Sequence, residues 1–177
     1  MWYTPTVTVA PTDEPVTIDE AKRQVRAVEF DDDDTYLADL IAVARNHVEK
    51  YCGATFATQT VEVKTDGWRD MAHLSVGPVQ SVTSISYVDA SGAEQTLADT
   101  VYELRGDAIV LKYGQSWPAV QSRSLITLTA IVGLETAPPA VKHAILLRIA
   151  DLYEFRESED DSKWTSFDSL LSNHRYY

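Results

Sequence analysis

Four histidines, His47, His73, His143 and His174, could move protons or bind a metal, but they stand singly. A catalytic zinc needs ligands at short helical or turn spacing, as in His-Glu-x-x-His, and no such set occurs. Cys52 follows His47 by five positions on one helix end, a placement that does not by itself activate a thiolate. No Gly-x-x-x-x-Gly-Lys phosphate loop, Gly-x-Gly-x-x-Gly turn or Gly-x-Ser-x-Gly elbow is present. Carboxylates are so plentiful that pairs of them discriminate nothing. Asp31, Asp32, Asp33 and Asp34 are consecutive, yet a calcium loop needs alternating oxygen ligands, a central Gly and a distal Glu, and here that Gly is missing. Tyr102, Tyr113 and Trp117 could stack on a sugar or base, as in a carbohydrate-binding module. The simpler reading makes Trp117, bracketed by Gly114 and Pro118, the anchor of its own loop. Arg105-Gly106-Asp107 reads as a turn between strands rather than as an adhesion tripeptide. No catalytic set, cofactor or metal is expected.

Composition narrows the partners. The chain has 177 residues, with 15 Lys+Arg against 27 Asp+Glu, for a formal charge of −12. A chain of this length buries roughly 70% of its unfolded surface, enough for a real core. The acidic excess, with no basic cluster, removes the counterion release that drives most binding to duplex DNA or anionic membranes. A lone cysteine excludes a disulfide framework. No secretion signal is apparent at the N-terminus, and the run Ala144-Ile145-Leu146-Leu147 is far short of the roughly 20 apolar residues of a membrane span. A soluble, non-secreted protein is expected.

The elements follow from period and punctuation. Pro5, Pro11 and Pro15 make residues 1–15 an extended arm rather than a packed element. Thr17-Ile18-Asp19-Glu20 is a capping box, and Ile18, Ala21, Val25 and Val28 continue at helical spacing, with Lys22, Arg23 and Arg26 directed elsewhere. The four aspartates should sit at the positive end of a second helix, which runs through Leu37, Leu40, Ile41, Ala44 and Val48 to a stop at Gly53. The period then changes to two. Strands are predicted over 61–64, 79–88, 94–97, 101–104, 109–111 and 125–132. Pro139 opens a long helix to about residue 156, and the polar link 157–162 leads to a tail, 164–177. Phe167, Leu170, Leu171, Tyr176 and Tyr177 give that tail apolar groups but no core of its own, so a partner surface is required.

The expected fold is α+β: an extended arm (1–15), a helical core of three to four helices (16–53 and 137–157), an inserted small antiparallel β-sheet or barrel (58–133), and a C-terminal linker and tail (158–177). Six acidic residues fall in 29–39 and seven in 151–168, so 13 of the 27 lie in two short segments.

Taken in order, five stretches resemble the head-tail connector, or adaptor, family of long-tailed bacteriophages and phage-derived gene transfer agents. They are Val16-Thr17-Ile18-Asp19-Glu20-Ala21-Lys22, residues 40–51, Gly77-Pro78-Val79-Gln80-Ser81-Val82, Tyr113-Gly114-Gln115-Ser116-Trp117-Pro118, and residues 141–147. The resemblance covers residues 16 to about 156, and Leu170, Leu171 and Arg175 also look similar. It implies an adaptor-type helical core carrying the β insertion of longer members. It further implies a virion protein of the neck that forms a ring of copies of itself, commonly twelve, beneath the portal protein. A head-closure (stopper) or tail protein would lie below, and DNA would pass through without sequence-specific binding. The family's portal-docking role falls on Leu170, Leu171 and Arg175, with Tyr176 and Tyr177 as neighbours. Asp31 to Asp34, or the acidic residues in 157–161, are then expected to face the channel, where carboxylates repel phosphate. The alternative is another head- or tail-completion protein of the neck.

Overall fold

The computed structural model describes residues 1–28, 31–155 and 166–175. The chain divides into two compact units, residues 1–12 with 58–134 and residues 13–57 with 135–177.

The first unit is built on seven strands: β1 (Thr6–Val9), β2 (Gln59–Thr65), β3 (Val79–Val88), β4 (Glu94–Thr96), β5 (Tyr102–Arg105), β6 (Ala108–Leu111) and β7 (Ile126–Val132). A five-stranded antiparallel sheet has the order β1-β2-β7-β3-β4, and β5 and β6 form a separate hairpin. β7 shows why the sheet forms. Ile126, Leu128, Ala130 and Val132 are buried while Thr127, Thr129 and Ile131 alternate toward the other face. With a period of two, a one-residue slip would expose the whole apolar set, so register is pinned on both flanks. Val61, Val63, Met71, Leu74, Ile85 and Ile109 complete the core.

One expectation changes here. Residues 1–15 were expected as an arm outside the packed elements, but β1 pairs antiparallel with β2, and Tyr3 N–H donates to Lys64 O at 2.9 Å. The Trp2 indole N–H also donates to His73 O at 2.7 Å. Pro5 and Pro11 flank the paired stretch, which is how proline is accommodated at a sheet edge.

Among the described residues, the second unit holds four α-helices, α1 (Ile18–Val25), α2 (Asp34–Cys52), α3 (Pro139–Glu154) and α4 (Ser166–Leu171). The capping box is present in both directions: Glu20 N–H donates to Thr17 Oγ1 at 3.2 Å, and Thr17 N–H donates to Glu20 Oε2 at 2.9 Å. Leu37, Ile41, Ala44 and Val48 of α2 face inward, as do Val141, Ala144, Ile145 and Ile149 of α3. α1 stops earlier than its apolar spacing predicts. Arg26 takes a left-handed conformation, φ 60°, and the Ala27 N–H reaches back to Lys22 O at 2.9 Å, so buried Ala27 closes the end and Val28 is left exposed.

Candidate functional site

The acidic turn is a knot, not only a cap. Asp33 stands at the N-cap of α2 without a side-chain capping bond. The Lys22 ammonium instead lies 2.6 Å from Asp31 Oδ1 and 2.7 Å from Asp34 Oδ1. The Tyr153 hydroxyl donates to Asp33 Oδ2 at 2.7 Å. Lys22, expected to be directed elsewhere than the helix's apolar positions, is buried, its stem covered and its charge delivered to two carboxylates. Those bonds hold the Lys22 pKa above its ordinary value and the Asp31 pKa below its own. Three of the four aspartates thus have a fixed partner within this chain.

The tail is also placed. Leu171 is wholly buried, Leu170 and Phe167 are half-buried, and Arg175 is exposed. The Phe167 ring meets His47 edge-on at 5.4 Å and Tyr51 at 5.5 Å, while the Arg175 guanidinium lies 4.5 Å over the Tyr51 ring. Burial, first, and the Asp168 carboxylate push the Tyr51 phenol up, against the opposing pull of Arg175. A six-residue helix has no stability alone, so α4 exists because burying Leu171 supplies about 1.5–3 kcal/mol and each aromatic contact about 0.5–1.5 kcal/mol. The partner surface that the tail was expected to need is provided, for Leu171 and Phe167, by this chain's own helices. Tyr176, Tyr177 and the acidic residues in 157–161 lie outside the described residues.

One cluster escaped the sequence reading. Arg45 is buried on α2; its Nε donates to Glu14 Oε2 and its Nη1 to Glu49 Oε2, both at 2.7 Å. The other Glu49 oxygen accepts from Phe56 N–H at 2.7 Å. The Arg-x-x-x-Glu spacing at 45 and 49 was the available signal, since such pairs face each other on a helix.

In the β-rich unit, Trp117 stacks on Trp68 with ring centroids 4.8 Å apart and planes 6° apart. Trp68 in turn meets Tyr87 edge-on and donates to Pro118 O at 2.8 Å. Trp117 anchors its loop, Tyr102 is buried in the core and Tyr113 is fully exposed, so the three rings do not form one platform. Arg105-Gly106-Asp107 is the hairpin turn between β5 and β6, with Gly106 at φ 62°. Cys52 is buried, and burial pushes its thiol up to about 11. Among the described residues, no group of three His, Cys, Asp or Glu is arranged to hold a metal ion, and no helix is long and apolar enough to cross a membrane.

These side chains hold a structure together and offer surfaces to other molecules. Residues 15–101 match the family described as phage gp6-like head-tail connector protein. The matched stretch runs from α1 through β4. The fold is similar to that of a chain in the neck of an empty gene transfer agent particle computed with sixfold symmetry. The TM-score there is 0.82 at 18% identity, over 99% of this chain and 96% of that one. A chain in the virion of a native gene transfer agent particle is similar at TM-score 0.80 and 18% identity, with the same coverage. A chain in the neck of a native particle computed with twelvefold symmetry is similar at TM-score 0.72 and 20% identity, again over 99% and 96%. No curated protein matches the chain in sequence. The α+β fold, inserted sheet included, is thus similar to that of a chain in such a neck.

Proposed function

We propose that this chain is a ring-forming head-tail adaptor in the neck of a virion or gene transfer agent particle, between portal and tail, and that it works without catalysis. The observation that carries this is the match of residues 15–101 to the head-tail connector family, supported by a fold shared end to end with neck proteins of 18–20% identity. Copies of the chain form the ring, the portal protein lies above, a head-closure or tail protein lies below, and DNA passes through.

The packing of α4 divides the tail's roles. Leu171 holds the helix to its own unit; Leu170, Arg175, Tyr176 and Tyr177 are the groups that dock on the portal. Charge follows the same division between units. Residues 13–57 and 135–177 carry 19 carboxylates against 10 basic side chains, whereas residues 1–12 and 58–134 carry 8 against 5. The helical unit therefore supplies the repulsive surface along the DNA path, and Asp31 to Asp34 face it with Lys22 offsetting part of their charge.

The test is capture of purified portal by the full chain. Wild type should be retained, and a Leu170→Ala/Arg175→Ala variant with an unchanged melting curve should be retained much less. Equal retention of the two would contradict the docking assignment.

A further inference from the structure

The sheet of the β-rich unit ends in two edges, β1 on one side and β4 on the other. Natural proteins blunt such edges with charge, above all Lys, because unpaired backbone groups recruit other strands. In a chain with 24% charged residues, positions 1–12 contain no Asp, Glu, Lys or Arg. Val7 and Val9 of β1 are 50% and 56% exposed. β4 is exposed at all three residues. Leu97 N–H donates to Ile85 O at 2.8 Å and Asp89 N–H to Ala93 O at 2.9 Å, so antiparallel alternation turns the backbone of Gln95 toward β3 and that of Glu94 and Thr96 outward.

The two edges are also matched in direction. Each neighbouring pair in the order β1-β2-β7-β3-β4 is antiparallel, and with five strands β1 and β4 run the same way. A cyclic ring joins two different patches of one chain head to tail, and the small rotation between neighbours does not reverse a strand. We infer that β1 of one copy pairs in parallel with β4 of the next, joining the sheets edge to edge around the ring. The inference rests on the ring reading above. Only three or four residues pair, so the contact sets register between neighbours and is repeated around the ring rather than being strong at any one place.

Side-chain faces allow a direct test. Val7 lies opposite Val61, and Gln95 lies opposite Tyr87, which places both on the core side of the sheet. In necks assembled from the full chain, a Val7→Cys/Gln95→Cys double variant should give a ladder of covalent multimers on mild oxidation. Neither single variant should do so, since the native Cys52 is buried. Val7→Lys/Val9→Lys should leave the melting of the β-rich unit unchanged and reduce ring formation on the order of tenfold by charging the edge. Normal rings from the Lys variant, together with no cross-linking beyond the single variants, would overturn the edge pairing while leaving the ring intact. Absence of any ring in necks made from the unaltered chain would remove the ring reading and the pairing with it.

Discussion

Arg45 and Glu49, one turn apart on α2, are joined at 2.7 Å, and between them they hold Glu14 and the backbone of Phe56. Those two points are where the chain enters and leaves the first half of the helical unit. The pair therefore fixes the segment before α1 through the Arg45 guanidinium and the segment after α2 through the Glu49 carboxylate.

Removing one partner of such a buried pair leaves the other uncompensated, at a cost of about 3–5 kcal/mol. Arg45→Ala should accordingly lower the stability of the helical unit by about 3 kcal/mol or more in urea unfolding. Arg45→Met with Glu14→Gln and Glu49→Gln should recover part of that loss. A change under about 0.5 kcal/mol for Arg45→Ala would show that the cluster is incidental.

The Lys22 knot gives a pH signature at both ends of the scale. Asp31 is held below its ordinary value of 3.8, so its stabilising contribution is present above that value and lost as the pH falls through the lower folded value. Lys22 is held above its ordinary value of 10.5, so its contribution is present below that value and lost as the pH rises through the higher folded one. Melting temperature against pH should show both slopes in wild type and weaken both in Lys22→Met, with Glu20, Asp70 and Asp89, also held below their ordinary values, keeping part of the acid slope. Added salt should flatten them, because Asp31 is exposed. Identical profiles for the two proteins would count against the knot.

Leu171 and Arg175 should separate stability from docking. Leu171→Ala removes a wholly buried side chain and should cost about 2–3 kcal/mol, read as faster amide exchange across α4. Arg175→Ala removes a cation lying on the Tyr51 ring, worth about 0.5–1 kcal/mol, and should leave α4 protected. Equal exchange in the two variants would mean that burial of Leu171 does not hold the helix.

In the β-rich unit, Trp117→Ala should loosen residues 112–125 and lower stability by about 2 kcal/mol, since it strips one face of Trp68. Tyr113→Ala, at a fully exposed ring, should stay within about 0.5 kcal/mol of wild type. Near-infrared or visible readouts are unnecessary; intrinsic tryptophan fluorescence during unfolding follows both variants. A larger effect at Tyr113 than at Trp117 would reverse the assignment of the loop anchor.

How much of this was legible in the sequence depends on whether a signal was local. The period of two in Ile126, Leu128, Ala130 and Val132, and the capping box at Thr17 and Glu20, gave β7 and the start of α1 directly. The end of α1 did not read correctly because Arg26, not Gly, occupies the left-handed position that stops it. Lys22 was directed elsewhere by type, but its partners Asp31 and Asp34 come from the next turn of chain, and only tertiary contact shows that they bury it. β1 was hidden for the same reason: Pro5 and Pro11 dominate the local reading, while pairing with β2 bridges more than fifty residues. The tail's apolar residues were read as needing a partner surface, but for Phe167 that surface is this chain's own, and nothing in the tail itself says that His47 and Tyr51 provide it.

The central claim is that this chain is a ring-forming neck adaptor seated on the portal. Cryo-electron microscopy of particles assembled with the full chain tests it most directly. A ring of these chains should lie between portal and tail, with residues 170 and 175 at the portal and the helical unit's acidic turn toward the channel. Particles in which the chain is absent from the neck, or lies there as a lone copy away from the portal, would contradict it.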